Sequence, residues 1–113
     1  MTTLSTHVLD TMHGRPASGV RLWLENQAGD MLFTGKTNAD GRCPEMPEGV
    51  PELVAGRYAL TFAVAEYFAA AGVVLPDPPF LQDVRIAFGV ADGVHYHVPL
   101  LVSPFAYSTY RGS

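Results

Sequence analysis

A single cysteine, Cys43, is all the thiol this chain carries. No intrachain disulfide can form, and nothing in the composition asks for an oxidising compartment. Charge is scarce as well: 16% of residues are Asp, Glu, Lys or Arg, against 48% hydrophobic. The 7 Lys and Arg residues are scattered singly and the formal net charge is -4, so there is no basic stripe for a nucleic-acid backbone. No apolar run approaches the roughly 18 residues of a membrane span. The opening MTTLSTHVLD lacks the basic and apolar regions of a secretory signal, and the closing Arg-Gly-Ser is not a peroxisomal address. The expectation is a soluble, cytoplasmic protein whose mature form starts at this methionine. A surface so poor in charge is expected to be covered in part by another subunit.

What the chain does have is alternation. At 113 residues one domain spanning 1–113 is expected. Short runs of period two, bounded by Gly, Pro, Asn and Asp, predict an all-β sandwich with strands near 4–9, 20–26, 31–36, 57–64, 82–90, 94–102 and 105–111. Turn chemistry marks Gln27-Ala28-Gly29-Asp30, Asn38-Ala39-Asp40-Gly41 and Ala91-Asp92-Gly93, with hairpins expected at the first and third. The stretch AEYFAAAG, free of β-branched residues, predicts one short helix over 65–72 closed by Gly72. The proline-rich LPDPPF that follows is expected to be irregular.

Alternation also sorts side chains onto faces. In VHYHVPLLV the larger apolar set, Val94, Tyr96, Val98, Leu100 and Val102, belongs to the core. That sends His95, His97, Pro99 and Leu101 outward. In LSTHVL, Leu4, Thr6 and Val8 share one face, while Ser5, His7 and Leu9 share the other. An outer face carrying Leu9, Pro99 and Leu101 suits an interface better than solvent, and pockets form at such junctions. Trp23 and Phe62 read as core.

Imidazoles exchange protons near neutrality, so His7, His95 and His97 are candidate acids and bases. His95 and His97 lie about 7 Å apart on one face but find no third ligand at metal spacing, so no metal site is expected. Arg42, directly after a turn, is placed to grip an anionic or amide-like group with two parallel donors. Ser108 and Ser113 lack the Gly-x-Ser-x-Gly setting of a hydrolase nucleophile, so hydrolysis here would use activated water. The ending AYSTYRGS is rich in anchoring groups where most termini are small and frayed.

Together LSTHVLDTMHGRPASGV, KTNADGR and HYHVPLLVSPFAYSTYRGS resemble the hydroxyisourate hydrolase branch of the transthyretin family, from end to end. The closing Tyr-Arg-Gly-Ser is the most specific element, since the hormone-carrier branch does not keep it. The resemblance implies a transthyretin-like two-sheet β-sandwich with one short helix. It implies a homotetramer, a dimer of dimers, with active sites in a central channel. It implies hydrolysis of 5-hydroxyisourate at N1–C6 on the route from urate to allantoin, with no cofactor. By motif match the catalytic residues fall on His7, Arg42 and His97, and the tail residues Tyr110, Arg111 and Ser113 fall on the wall of the substrate site. Which histidine is the general base stays open. The segment AAAGVVLPDPPFLQDV departs from the family pattern, so the path of residues 69–83 is also open. The alternative reading is a non-enzymatic, transthyretin-like carrier of a small molecule.

Overall fold

A computed structural model describes residues 2–91 and 93–112. Two four-stranded sheets face each other. The first has the order β2-β1-β7-β8, from β1 (Thr3–Asp10), β2 (Arg15–Pro16), β7 (His95–Ser103) and β8 (Ala106–Thr109). The second has the order β4-β3-β5-β6, from β3 (Arg21–Asn26), β4 (Met31–Lys36), β5 (Gly56–Phe62) and β6 (Val84–Val90). This is the all-β sandwich that the alternation predicts.

The pleat decides what lies inside. Strand β1 buries Leu4, Thr6, Val8 and Asp10 and leaves Thr3, Ser5, His7 and Leu9 half-exposed, residue by residue. Across the interface Leu22, Leu24, Leu60 and Phe62 of the second sheet are fully buried and join Leu4, Val8 and Leu100 in one core. Thr6 and Asp10 are the polar residues that β1 turns to this side, and the Thr6 hydroxyl donates to the Val98 carbonyl at 2.7 Å. A buried hydroxyl without such a partner is costly, as the Thr61 hydroxyl illustrates: it is buried with no hydrogen-bond partner among the described residues. Trp23 differs from the expectation. It sits in phase with Arg21 and Glu25 on the outer side of β3, half-exposed under the Arg21 guanidinium at 4.9 Å, because Leu22 and Leu24 take the inward positions.

The pairing that matters most is β1 with β7, parallel, in register from Thr3 opposite His95 to Asp10 opposite Val102. It brings the two histidine-bearing strands side by side. The hairpin expected at 27–30 joins β3 to β4. The one expected at 91–93 does not form: this connection carries the chain from β6 in one sheet to β7 in the other, and Asp92 itself lies outside the described residues. Both edges of β7 are taken, by β1 and β8, so β6 has no edge to pair with. Turn chemistry is local and does not encode that competition.

Helix α2 (Val64–Ala70) falls where the alanine-rich stretch predicts one, and it buries Val64, Tyr67 and Phe68 at helical spacing. A four-residue helix, α1 (Met46–Gly49), was not anticipated; one turn is too short to show a period, and only Met46 is buried from it. Residues 73–83 are irregular, as the prolines require.

Candidate active site

The outer face of β1 and β7 carries the candidate residues. Ser5 lies opposite His97 and His7 opposite Pro99, so His7 and His97 are diagonal neighbours on adjacent strands. Arg42 reaches the same face through the loop after β4. Asn38 builds that loop: its side-chain oxygen accepts from the backbone N–H of Asp40 at 2.9 Å and of Arg42 at 3.1 Å. The loop is then sewn to β1, with the Val8 N–H donating to the Gly41 carbonyl at 2.8 Å and His7 bridging Arg42. Gly41 has φ +75°, and a Cβ there would meet the Val8 carbonyl oxygen at 2.4 Å, so only glycine allows this close approach.

The tail supplies a second seam. The Gly112 N–H donates to the His97 carbonyl at 2.9 Å, forming a bridge between the two residues. A side chain at 112 would collide with the His97 ring, its Cβ falling 2.5 Å from Cδ2. Gly112 therefore lets the tail lie flat over an imidazole. The Arg111 guanidinium stacks on Tyr96 at 4.5 Å, a cation–π contact that fastens the tail to β7. Tyr110 is 61% exposed, and Ser113 lies outside the described residues.

Hydrogen bonds orient the rings. The Ser5 hydroxyl lies 2.8 Å from His97 Nδ1 and 3.0 Å from His95 Nε2, and the Thr3 hydroxyl lies 2.5 Å from His95 Nδ1. Among the described residues Nε2 of His97 has no hydrogen-bond partner. Desolvation pushes the His97 pKa below the ordinary histidine value, and the charges of Arg42, His7 and His95 push it the same way. The neutral imidazole is thus favoured at His97, with Nδ1 engaged and Nε2 unpartnered among the described residues, an arrangement that suits a general base.

The structure brings His7, Arg42 and His97 together on one face, with the tail over His97. Sequence reasoning passed over Ser5 and Thr3, although the alternation that sends His7 outward carries Ser5 with it. It also passed over His13, which belongs to a different cluster. His13 Nδ1 and the Tyr67 hydroxyl both reach the buried Asp10 carboxylate, at 2.6 and 2.7 Å. Burial alone would raise the Asp10 pKa, but the hydrogen bonds from Tyr67 and His13 hold it below the usual carboxylate value. A cleft of about 750 Å³ between Arg15, Lys36, Glu66 and Tyr67 lies near that cluster and includes none of His7, Arg42 or His97. Among the described residues no group of three or more His, Cys, Asp or Glu side chains could hold a metal ion.

Residues 4–112 match the model of the HIUase/Transthyretin family. The chain belongs to that family. A 5-hydroxyisourate hydrolase of Ralstonia nicotianae is 56% identical, with all of both chains covered. Among solved structures, the 5-hydroxyisourate hydrolase of Klebsiella pneumoniae superposes with a TM-score of 0.85 at 40% identity, again over the full length of both chains. Sea bream transthyretin in complex with thyroxine gives a TM-score of 0.84 at 28% identity, over 97% of this chain and 94% of the other. The family thus contains both a hydrolase and a hormone-binding protein on one backbone. Fold alone does not separate them.

Proposed function

We propose that this chain hydrolyses 5-hydroxyisourate, opening the six-membered ring at N1–C6 to a ring-opened carboxylate on the way from urate to allantoin. The observation that carries the reading is the convergence of His7, Arg42 and His97 on one sheet face, with Gly112 lying against the His97 ring. The full-length identity to the Ralstonia hydrolase supports it.

Cyclic amide hydrolysis needs a base for water and a partner for the oxygen on which charge develops. His97 is the base in this reading, because its Nδ1 is engaged and, among the described residues, its Nε2 has no partner. Arg42 holds the substrate oxygens and the developing oxyanion, and His7, bridged to it, orients the water. The tail residues Tyr110 and Arg111 wall the substrate, a role that the family resemblance also implies for Ser113, which lies outside the described residues. The enzyme acts without a cofactor, as a single domain, in the cytoplasm. Among the described residues no helix is long and apolar enough to cross a membrane. It assembles as a dimer of dimers that encloses this face. The apolar groups left exposed at the β8 end of the sheet, Phe105 with Phe80 against it, Tyr107 and Tyr110, support an assembly.

The test is to generate 5-hydroxyisourate with uricase in situ and follow its near-ultraviolet decay. Decay well above the spontaneous rate is expected; the spontaneous rate alone would end the hydrolase reading. The likeness to a thyroxine-binding transthyretin favours a carrier as second reading. A carrier would bind ligand saturably in the same assay and leave the decay unchanged. Light scattering separately tests assembly, with four times the chain mass of 12.2 kDa expected.

A further inference from the structure

The hydrogen bonds around Ser5 do more than hold rings in place. His97 Nδ1, Ser5 Oγ, His95 Nε2, His95 Nδ1 and Thr3 Oγ1 form one unbroken chain, with links of 2.8, 3.0 and 2.5 Å. Its inner end is half-buried at His97 and its outer end is exposed at His95. Each link holds one proton, and each neutral ring carries one N–H, so the chain has two self-consistent polarities. In the first, His97 Nδ1 donates to Ser5, Ser5 donates to His95 Nε2, and His95 Nδ1 donates to Thr3. Nε2 of His97 is then bare. In the second every donor is reversed, and Nε2 of His97 carries a proton.

We propose that Ser5 and His95 form a proton relay that lets His97 take the proton of the attacking water without holding a positive charge. This rests on the hydrolase reading. As water attacks, one O–H bond breaks, its proton goes to His97 Nε2, and its oxygen bonds to the ring carbonyl carbon. The Nδ1 proton moves to Ser5, the Ser5 proton to His95 Nε2, and the His95 Nδ1 proton leaves by way of Thr3 to solvent. When the C–N bond breaks, the leaving nitrogen takes the proton from His97 Nε2, and the chain refills from solvent through the same groups. The acid so formed loses its own proton to water, and the balance closes with the carboxylate and one released proton.

The reason for such a relay is the setting of His97. Arg42 and His7 lie close enough to disfavour an imidazolium there, and among the described residues no carboxylate faces His97 to offset it. His13 presents the contrast, with Asp10 bound directly to its Nδ1. An imidazolium is stabilised by an acid partner; a ring without one is helped by a path that exports the charge. Ser5 is thus a positioning residue, acting through His97, and it also sets which nitrogen of that ring is bare.

The test measures wild type, Ser5→Ala, Ser5→Thr and His95→Ala with uricase-generated 5-hydroxyisourate. Ser5→Ala and His95→Ala should each lower kcat by about 10-fold or more and leave KM within about twofold. Ser5→Thr, which keeps the hydroxyl, should restore kcat to within about threefold of wild type. Added imidazole should speed His95→Ala and leave wild type unchanged. A kcat within about twofold of wild type in either alanine variant overturns the relay, as does a Ser5→Thr variant as slow as Ser5→Ala. So does a loss confined to KM. A wild type no faster than spontaneous decay defeats the hydrolase reading instead, so the two failures are distinct.

Discussion

The two outer faces of this sandwich share a pleat and differ in how they treat charge. On the β3–β5–β6 side, Arg21 reaches Glu66 at 3.0 Å and Arg85 reaches Glu25 at 3.5 Å, largely in solvent. On the β1–β7 side, imidazoles are joined through hydroxyls, and among the described residues no carboxylate lies within ion-pair distance of His7, Arg42, His95 or His97. The first face is ordinary surface, where exposed pairs contribute little. The second, among the described residues, pairs none of its positive and protonatable groups with an acid. Such an arrangement costs stability unless an anionic or polar ligand arrives to use it.

The contrast is broken most severely from the histidine face. His97→Asn and Arg42→Ala should each lower kcat/KM for 5-hydroxyisourate by about 100-fold or more, since in the proposed mechanism both act on charge that develops in the transition state. Near-wild-type turnover in either would remove that residue from the mechanism. Gly112→Ala comes next. The added methyl meets the His97 ring, so ring and tail must part, and a displacement of this kind is expected to cost about 10-fold or more in kcat. Thermal melting should change little, because the tail lies outside the core; a large drop in Tm would assign the glycine to stability instead.

A smaller effect sharpens the electrostatic half of the comparison. Desolvation first, and then the charges of Arg42, His7 and His95, lower the His97 pKa. As pH falls from about 6.5, the unfolded chain takes up this proton before the folded one, so the contribution of His97 to stability declines until the folded ring is protonated. An NMR titration should place the His97 midpoint below the ordinary value, and Arg42→Ala should move it upward. A downward move would show that Arg42 does not act on this ring. The smallest effect belongs to the opposite face, where Glu25→Gln should leave activity unchanged and Tm within about 2 °C.

How much of this was legible in the sequence depends on the range of the interaction. Period two assigned Leu4, Thr6 and Val8 inward and His7 outward, and helical spacing placed α2, because both are repeated local patterns. Trp23 was misplaced by its size, although the leucines on either side had already claimed the core. The connection at 91–93 was misread because its path depends on which strands occupy the edges of β7. The same limit hid Ser5: its partners, His95 and His97, are 90 and 92 positions away in sequence. The tail was recognisable as anchored, but not that Gly112 seats it against a ring and Arg111 against Tyr96.

The parallel pairing of β1 with β7 has a consequence for how the protein comes into being. Contacts of such long sequence separation form late, after the entropy of closing a large loop has been met. Half of the site is synthesised among the first ten residues and waits for nearly the whole chain before its other half exists. A nascent chain, or one truncated before β7, holds an arginine and a histidine with nothing to work against. In the proposed mechanism, which needs His7, Arg42 and His97 together, activity therefore requires the last strands to be in place.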